Sequence, residues 1–240
     1  MSRRTSSSSA ALAVIALLLA ACSNDPATSS PGESTPAPSA PSPTDWTPIP
    51  EDSEGLITAG RLGMTANGRP DAPWAVLDVP EGFSSIGGWV IFDEDPSGGG
   101  GVGYWTVSEV VRDPCSELGT ANAMDAGSTV DDLARALQRQ QLTRTTAPVP
   151  VIVDGSPGLS LEVHVPPDLD FADCPDYNVW ESDPAGARHM GGPGEFDRLW
   201  ILDVDGDVVV LTVTGNPDVP QTAVRRLTDM VESAELIARG

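Results

Sequence analysis

Asp203, Asp205 and Asp207 put three carboxylates within five positions, and Gly206 stands between the last two. Carboxylates at alternate positions beside a glycine are the ligands of a calcium loop. An EF-hand loop, however, needs its glycine at the sixth position and a bidentate Glu at the twelfth. Counting from Asp203, those places hold Val208 and Thr214. A β-hairpin accounts for every residue instead. Asp205-Gly206 suits a two-residue type I′ turn, because both residues tolerate positive φ. That turn pairs Val204 with Asp207, Leu202 with Val209, Ile201 with Val210 and Trp200 with Leu211. Both faces are then apolar, as in a central hairpin covered on two sides. The reading is a turn, with no metal site.

The other groups that do chemistry are sparse. The chain has no lysine, which excludes a Walker loop, a Schiff base and an SxxK nucleophile. GxSxG, HExxH and CxxC are also absent. Of the two histidines, His164 alternates with Glu162 on the outer side of a strand whose other side is Leu161, Val163 and Val165. His189 lies in the glycine-rich "AGARHMGGPGE". Neither has companions at zinc-ligand spacing, and no cofactor is implied. The 35 acidic residues allow many carboxylate pairs of the glycosidase type, which only their separation in space can test. Trp74, Trp89, Trp105 and Trp200 fall in apolar strand contexts and read as core.

Three cysteines are present. If Cys22 is modified, Cys115 and Cys174 remain as an even pair, and in an oxidising compartment they are expected to bond. Cys174 belongs to a long stretch, residues 166–198, with no helical or strand period. Loops beyond roughly 12–15 residues tend to be functional or disordered, and this one carries Phe171, Tyr177 and Trp180. The expectation is a loop pinned by Cys174, with a mobile glycine-rich part bearing Arg188 and His189 at its tip. Phe171, Tyr177, Trp180, Arg188 and His189 are the candidate binding residues. The competing reading is a packed cover over the sheet.

The first residues give an address. Arg3 and Arg4, a short polar spacer and an apolar run over 10–21 describe a secretory signal over residues 1–21. About 18 Å of helix is too short for a hydrocarbon core of roughly 30 Å. Leu19-Ala20-Ala21-Cys22 resembles the bacterial lipobox, which implies a diacylglyceryl group on Cys22 and cleavage before it. Several acyl chains together make a stable anchor. Residues 22–53, rich in Ser, Thr, Ala and Pro, have little to bury and read as a disordered tether. The mature chain would hold 11 arginines against 35 acids, a net charge of −24. Such a field repels nucleic acid. Because lysine codons are A-rich, cationic chemistry confined to Arg points to a GC-rich, actinobacterial genome.

Residues 54–240 must position all of this, and their length suits one domain. "PWAVLDVPEGF", "IGGWVIF" and "YWTVSEVVR" read as strands, and the glycine run 98–101 as a flexible loop. In "STVDDLARALQRQQL" the period becomes helical, with Val130, Leu133, Ala134 and Leu137 on one face. Ser128 or Thr129 caps that helix, and Asp131 and Asp132 favour its first turn. A hairpin runs out over Val149, Val151 and Val153 and returns over Leu161, Val163 and Val165. A last helix follows Pro220, and "AELIA" can close as a strand. The fold class expected is α+β, a mostly antiparallel sheet with a mid-chain and a C-terminal helix packed on it.

"VDDLARALQRQ", "VPVIVDGSPGLSLEVHVPPDLDFADC", "DRLWILDVDGDVVVLTV" and "LTDMVESAELI" together resemble a family of uncharacterised actinobacterial cell-surface lipoproteins, over most of residues 74–240. The "DVPEGF" start and the helix-strand end are also similar to the PsbP-like fold of some mycobacterial lipoproteins. The resemblance implies an outer-face, lipid-anchored protein and brings no catalytic residue. The function expected is a non-catalytic binding or interaction module of the cell envelope, meeting an envelope ligand or protein and no nucleic acid. The alternative is a cell-envelope hydrolase using paired carboxylates.

Overall fold

The computed structural model describes residues 45–67, 69, 71–94, 99–174, 176–182 and 186–238. The signal segment, Cys22 and most of the tether therefore lie outside the described residues. In chain order, β1 (Thr47–Pro48), β2 (Glu54–Leu56), β3 (Gly60–Met64), β4 (Trp74–Val79), β5 (Phe83–Ile86), β6 (Val90–Asp93), β7 (Gly101–Trp105), β8 (Glu109–Val111) and β9 (Ala123–Asp125) precede helix α1 (Val130–Gln138). Then β10 (Arg144–Thr145), β11 (Val149–Val153), β12 (Ser156–His164), β13 (Tyr177–Ser182), β14 (Gly186–Met190), β15 (Phe196–Val204) and β16 (Asp207–Gly215) lead to α2 (Gln221–Glu232) and β17 (Glu235–Ile237). Among the described residues strand makes up 47% against two helices, so the class is mostly antiparallel β with few helices rather than a balanced α+β.

The central layer is a nine-stranded sheet ordered β10-β12-β15-β16-β7-β6-β5-β2, with β11 also paired to β12. The Asp205 hairpin lies in its middle. Its register runs from Val204 opposite Asp207 to Phe196 opposite Gly215, as the turn chemistry requires. Asp205 and Gly206 have φ of 54° and 95°, and Asp203 Oδ1 accepts the Gly206 N–H at 2.8 Å. Because both faces of this hairpin are apolar, the sheet carries two cores. Trp200, Leu202, Val209 and Leu211 join one, beneath α2 and the β1-β3-β4-β17 sheet. Leu199, Ile201 and Val210 join the other, beneath α1 and the β14-β13-β8-β9 sheet.

Both helices form where their periods place them. Thr129 caps α1, its Oγ1 accepting the Asp132 N–H at 3.2 Å, while Leu133, Ala134 and Leu137 are buried. Pro220 precedes α2, which buries Val224, Leu227, Met230 and Val231.

Four sequence expectations need correction. The globular part begins before residue 54: β1 pairs in parallel with β3, and Ile49 is buried. Trp46 packs against Trp74, with ring centroids 5.0 Å apart, and over Gly63. The stretch 104–112 is two strands rather than one, since β7 belongs to the central sheet and β8 to a small one. The last glycine of the 98–101 run begins β7 and is buried.

The fourth correction is the largest. Tyr177–Ser182 and Gly186–Met190 are an antiparallel pair, β13 with β14, and β13 also pairs with β8. The strand period is hidden because β13 shifts register between Asn178 and Trp180. A bulge of this kind breaks the alternation of faces, and Val179 and Trp180 are both buried in succession.

Candidate functional site

The concavity that combines apolar walls with a buried charged group lies on the α1 side of the central sheet. Residues opposite each other across neighbouring strands share a face. Val90 of β6 stands opposite Gly103 of β7, which stands opposite Thr212 of β16. In the next row Phe92, Gly101 and Thr214 are aligned in the same way. The glycines at both β7 positions remove side chains from the floor, where the Trp105 indole lies against Gly103. The resulting cavity is about 320 Å³, lined by Val90, Phe92, Trp105, Arg188, Thr212 and Thr214 along with Gly99–Gly103. That size is at the lower end for small-molecule sites.

The glycines are required by their surroundings. A Cβ on Gly103 would sit 2.5 Å from Trp105 Nε1 and 2.7 Å from Thr212 Oγ1. Any side chain there would displace the indole, whose Nε1 donates to Thr212 Oγ1 at 3.3 Å. A Cβ on Gly101 would lie 2.7 Å from the Ile91 carbonyl oxygen, which is backbone and cannot rotate away.

Arg188 supplies the charge. It leaves β14 and reaches across the sheet to β15 and β16. Its Nε donates to Asp197 Oδ2 at 2.8 Å, and Nη2 donates to Asp197 Oδ1 at 2.8 Å and Glu195 Oε1 at 3.1 Å. Nη2 also meets Thr214 Oγ1 at 3.2 Å, and that hydroxyl donates to Asp197 Oδ1 at 2.6 Å. Nη1 donates to the His189 carbonyl oxygen. Burial disfavours the charge on Arg188, but Asp197 and Glu195 outweigh it and hold the guanidinium above its ordinary pKa. Asp197 has a side-chain exposure of 0%. Asp93 also lines the cavity, but its carboxylate is bound by Arg226 of α2.

Of the five candidate binding residues read from sequence, only Arg188 lines this cavity. It is no mobile tip, because its side chain is only 12% exposed and held by two carboxylates. Tyr177 and Trp180 are fully buried in the α1-side core. Phe171 is half-buried against Tyr177, with ring centroids 6.2 Å apart. Burial pushes the Tyr177 phenol up to about 12, and its hydroxyl donates to the Leu142 carbonyl oxygen at 2.7 Å. Only His189 is exposed, on β14 opposite Asn178. Cys115 and Cys174 form a disulfide, with Cα atoms 4.7 Å apart. The signal that sequence reading passed over is Gly101-Val102-Gly103-Tyr104-Trp105, where every second residue is a glycine or the tryptophan of the floor.

A second concavity of about 760 Å³ lies between α2 and the β3–β4 hairpin. It is an open groove, and its Arg61 and Arg226 are taken up by Glu235 and Asp93. His164 stands outside both concavities, its Nε2 3.0 Å from Glu162 Oε2. Among the described residues no three His, Cys, Asp or Glu side chains gather as a metal-binding set. None of the helices among them is long and apolar enough to cross a membrane.

The chain matches no protein-family model, and no curated protein or solved structure matches it.

Proposed function

We propose that the chain is an extracytoplasmic lipoprotein, held at the outer face of the cell membrane by acylated Cys22, that binds a small molecule without transforming it. The observation that carries the reading is the cavity over Gly101 and Gly103. Its walls are apolar and aromatic, and one buried guanidinium gives it a polar end, which is the composition of a ligand site. The signal-like start, the Leu19-Ala20-Ala21-Cys22 motif and the Pro/Ser/Thr-rich segment support the address. The lysine-free composition and the family resemblance support an actinobacterial source.

The hydrolase alternative asks for two carboxylates free to act as acid and base. Carboxylates do converge, at Glu195 and Asp197, but both are bound to Arg188. Both oxygens of Asp197 already accept hydrogen bonds. This occupation favours binding over cleavage.

The test is native mass spectrometry of the protein extracted from its own membrane. A bound small molecule is expected on the wild type and should be missing from Val90→Trp, whose indole fills the mouth of the cavity. An unliganded wild type, or a guest equally retained by Val90→Trp, contradicts the reading. Circular dichroism on the variant checks that it still folds.

A further inference from the structure

We infer that the cavity takes a neutral amphiphile: an uncharged head bearing carbonyl or hydroxyl oxygens, on an apolar chain that runs out over the edge of the central sheet. The inference rests on the cavity being the binding site, and two separate observations carry it.

The first concerns the head. Arg188 is one cation against two carboxylates, so the polar end of the cavity is locally negative by one charge. An anionic head would be repelled there. A cationic head would meet no free carboxylate, because Asp197 and Glu195 do not line the cavity and the Asp93 carboxylate is bound to Arg226. What remains is a donor. Nη1 carries two hydrogens and, among the described residues, meets one acceptor, the His189 carbonyl oxygen. The other hydrogen suits an uncharged oxygen, which satisfies it without adding charge to a buried site.

The second concerns the body. The two rows that floor the cavity do not stop at β6. Beyond Val90 the first row continues to Ile86 of β5, and beyond Phe92 the second continues through Ser84 to Leu56 of β2. All of these residues share the cavity's face. Ile86 is 48% exposed and Leu56 is 77% exposed. In the first row an apolar track therefore leads from Val90 to exposed Ile86, and Leu56 stands exposed at the sheet edge beyond Ser84, which is polar and buried. A compact polar guest would leave that track unused, whereas a chain of several methylenes would cover it.

The test is calorimetric titration of the chain from residue 22 onward carrying Cys22→Ser, which removes the acyl anchor. The probes are monodecanoylglycerol, monohexanoylglycerol and decanoate, each below its micelle concentration. Monodecanoylglycerol should bind with a one-to-one stoichiometry and at least roughly tenfold more tightly than decanoate, because only the latter buries a charge. Each methylene that reaches the track should add up to roughly fourfold in affinity. Leu56→Ser/Ile86→Ser alters two exposed side chains, so the fold should persist while this dependence on chain length shrinks.

Decanoate binding as tightly as the glyceride overturns the neutral head. Chain-length dependence unchanged in the double variant overturns the track. A co-purifying guest of another chemistry, displaced by Val90→Trp, overturns this inference and leaves the cavity as the binding site. A cavity that holds no guest and binds none of the probes overturns both.

Discussion

The guanidinium of Arg188 is the residue on which the site turns. In sequence it sits in a glycine-rich stretch, which reads as solvated, and its acidic partners are seven and nine positions away on another segment. No local signal joins them, so the ion pair was illegible, while Asp205-Gly206 was legible because a turn is made by adjacent residues. Breaking a buried pair leaves the remaining charge uncompensated. Arg188→Met should therefore destabilise the fold by about 3–5 kcal/mol in urea unfolding, and Arg188→Met/Asp197→Leu should recover much of that loss. The Glu162 carboxyl gives a pH signature. Burial opposes its charge, but hydrogen bonds from Arg198 and His164 win and hold it below its usual range. Its contribution is thus complete above the unfolded value of about 4.3 and is lost as pH falls through the lower folded value. Glu162→Gln should lower stability at pH 7 and flatten the acid limb. Parallel unfolding curves for the two proteins at pH 7, offset by nothing, would contradict this.

At the scale of elements, regular periods were legible and interrupted ones were not. α1 announces itself by Val130, Leu133, Ala134 and Leu137, and the β15–β16 hairpin by its turn and two apolar faces. β13 stayed hidden behind its bulge, and the first part of β7, Gly101–Gly103, behind glycines that resemble a linker. Those glycines lie in a strand because Trp105 and Thr212 occupy the space a side chain on Gly103 would need, and the Ile91 carbonyl and Phe92 the space one on Gly101 would need. The disulfide ties the corner before α1 to the segment before β13 and thereby fixes the small sheet over the second core. On the chain-entropy model, closing a loop of 59 residues' separation contributes about 4 kcal/mol. Cys115→Ser should lower the melting temperature on the order of 10 °C. Cys115→Ser/Cys174→Ser should lower it by the same amount, since either variant breaks one bridge, and differential scanning calorimetry checks both.

For the whole molecule, one sheet with a core on each face explains how a chain of this length buries so much apolar surface, and why β15 and β16 had to be apolar on both sides. That layering follows from the sequence pattern of a single hairpin. The position of the cavity does not, because it depends on how far β14 and its sheet extend over the central layer. The chain's acidity suits the proposed lipoprotein, whose contact with the membrane would be made by lipid rather than by charge. Metabolic labelling with an alkyne fatty acid should mark the wild type and leave Cys22→Ala unmarked. Equal labelling of the two would contradict the anchor.

The most direct measurement of the central claim is the indole region of a nitrogen-proton correlation spectrum, in which six tryptophans each give one Nε1–H signal. Trp105 alone among them lines the cavity. On titration with monodecanoylglycerol, its signal, assigned with Trp105→Phe, should shift and saturate, while that of Trp74, on the opposite side of the sheet, stays in place. A Trp105 signal that remains fixed to the end of the titration, or six signals that drift together without saturating, would contradict a guest seated over Gly101 and Gly103.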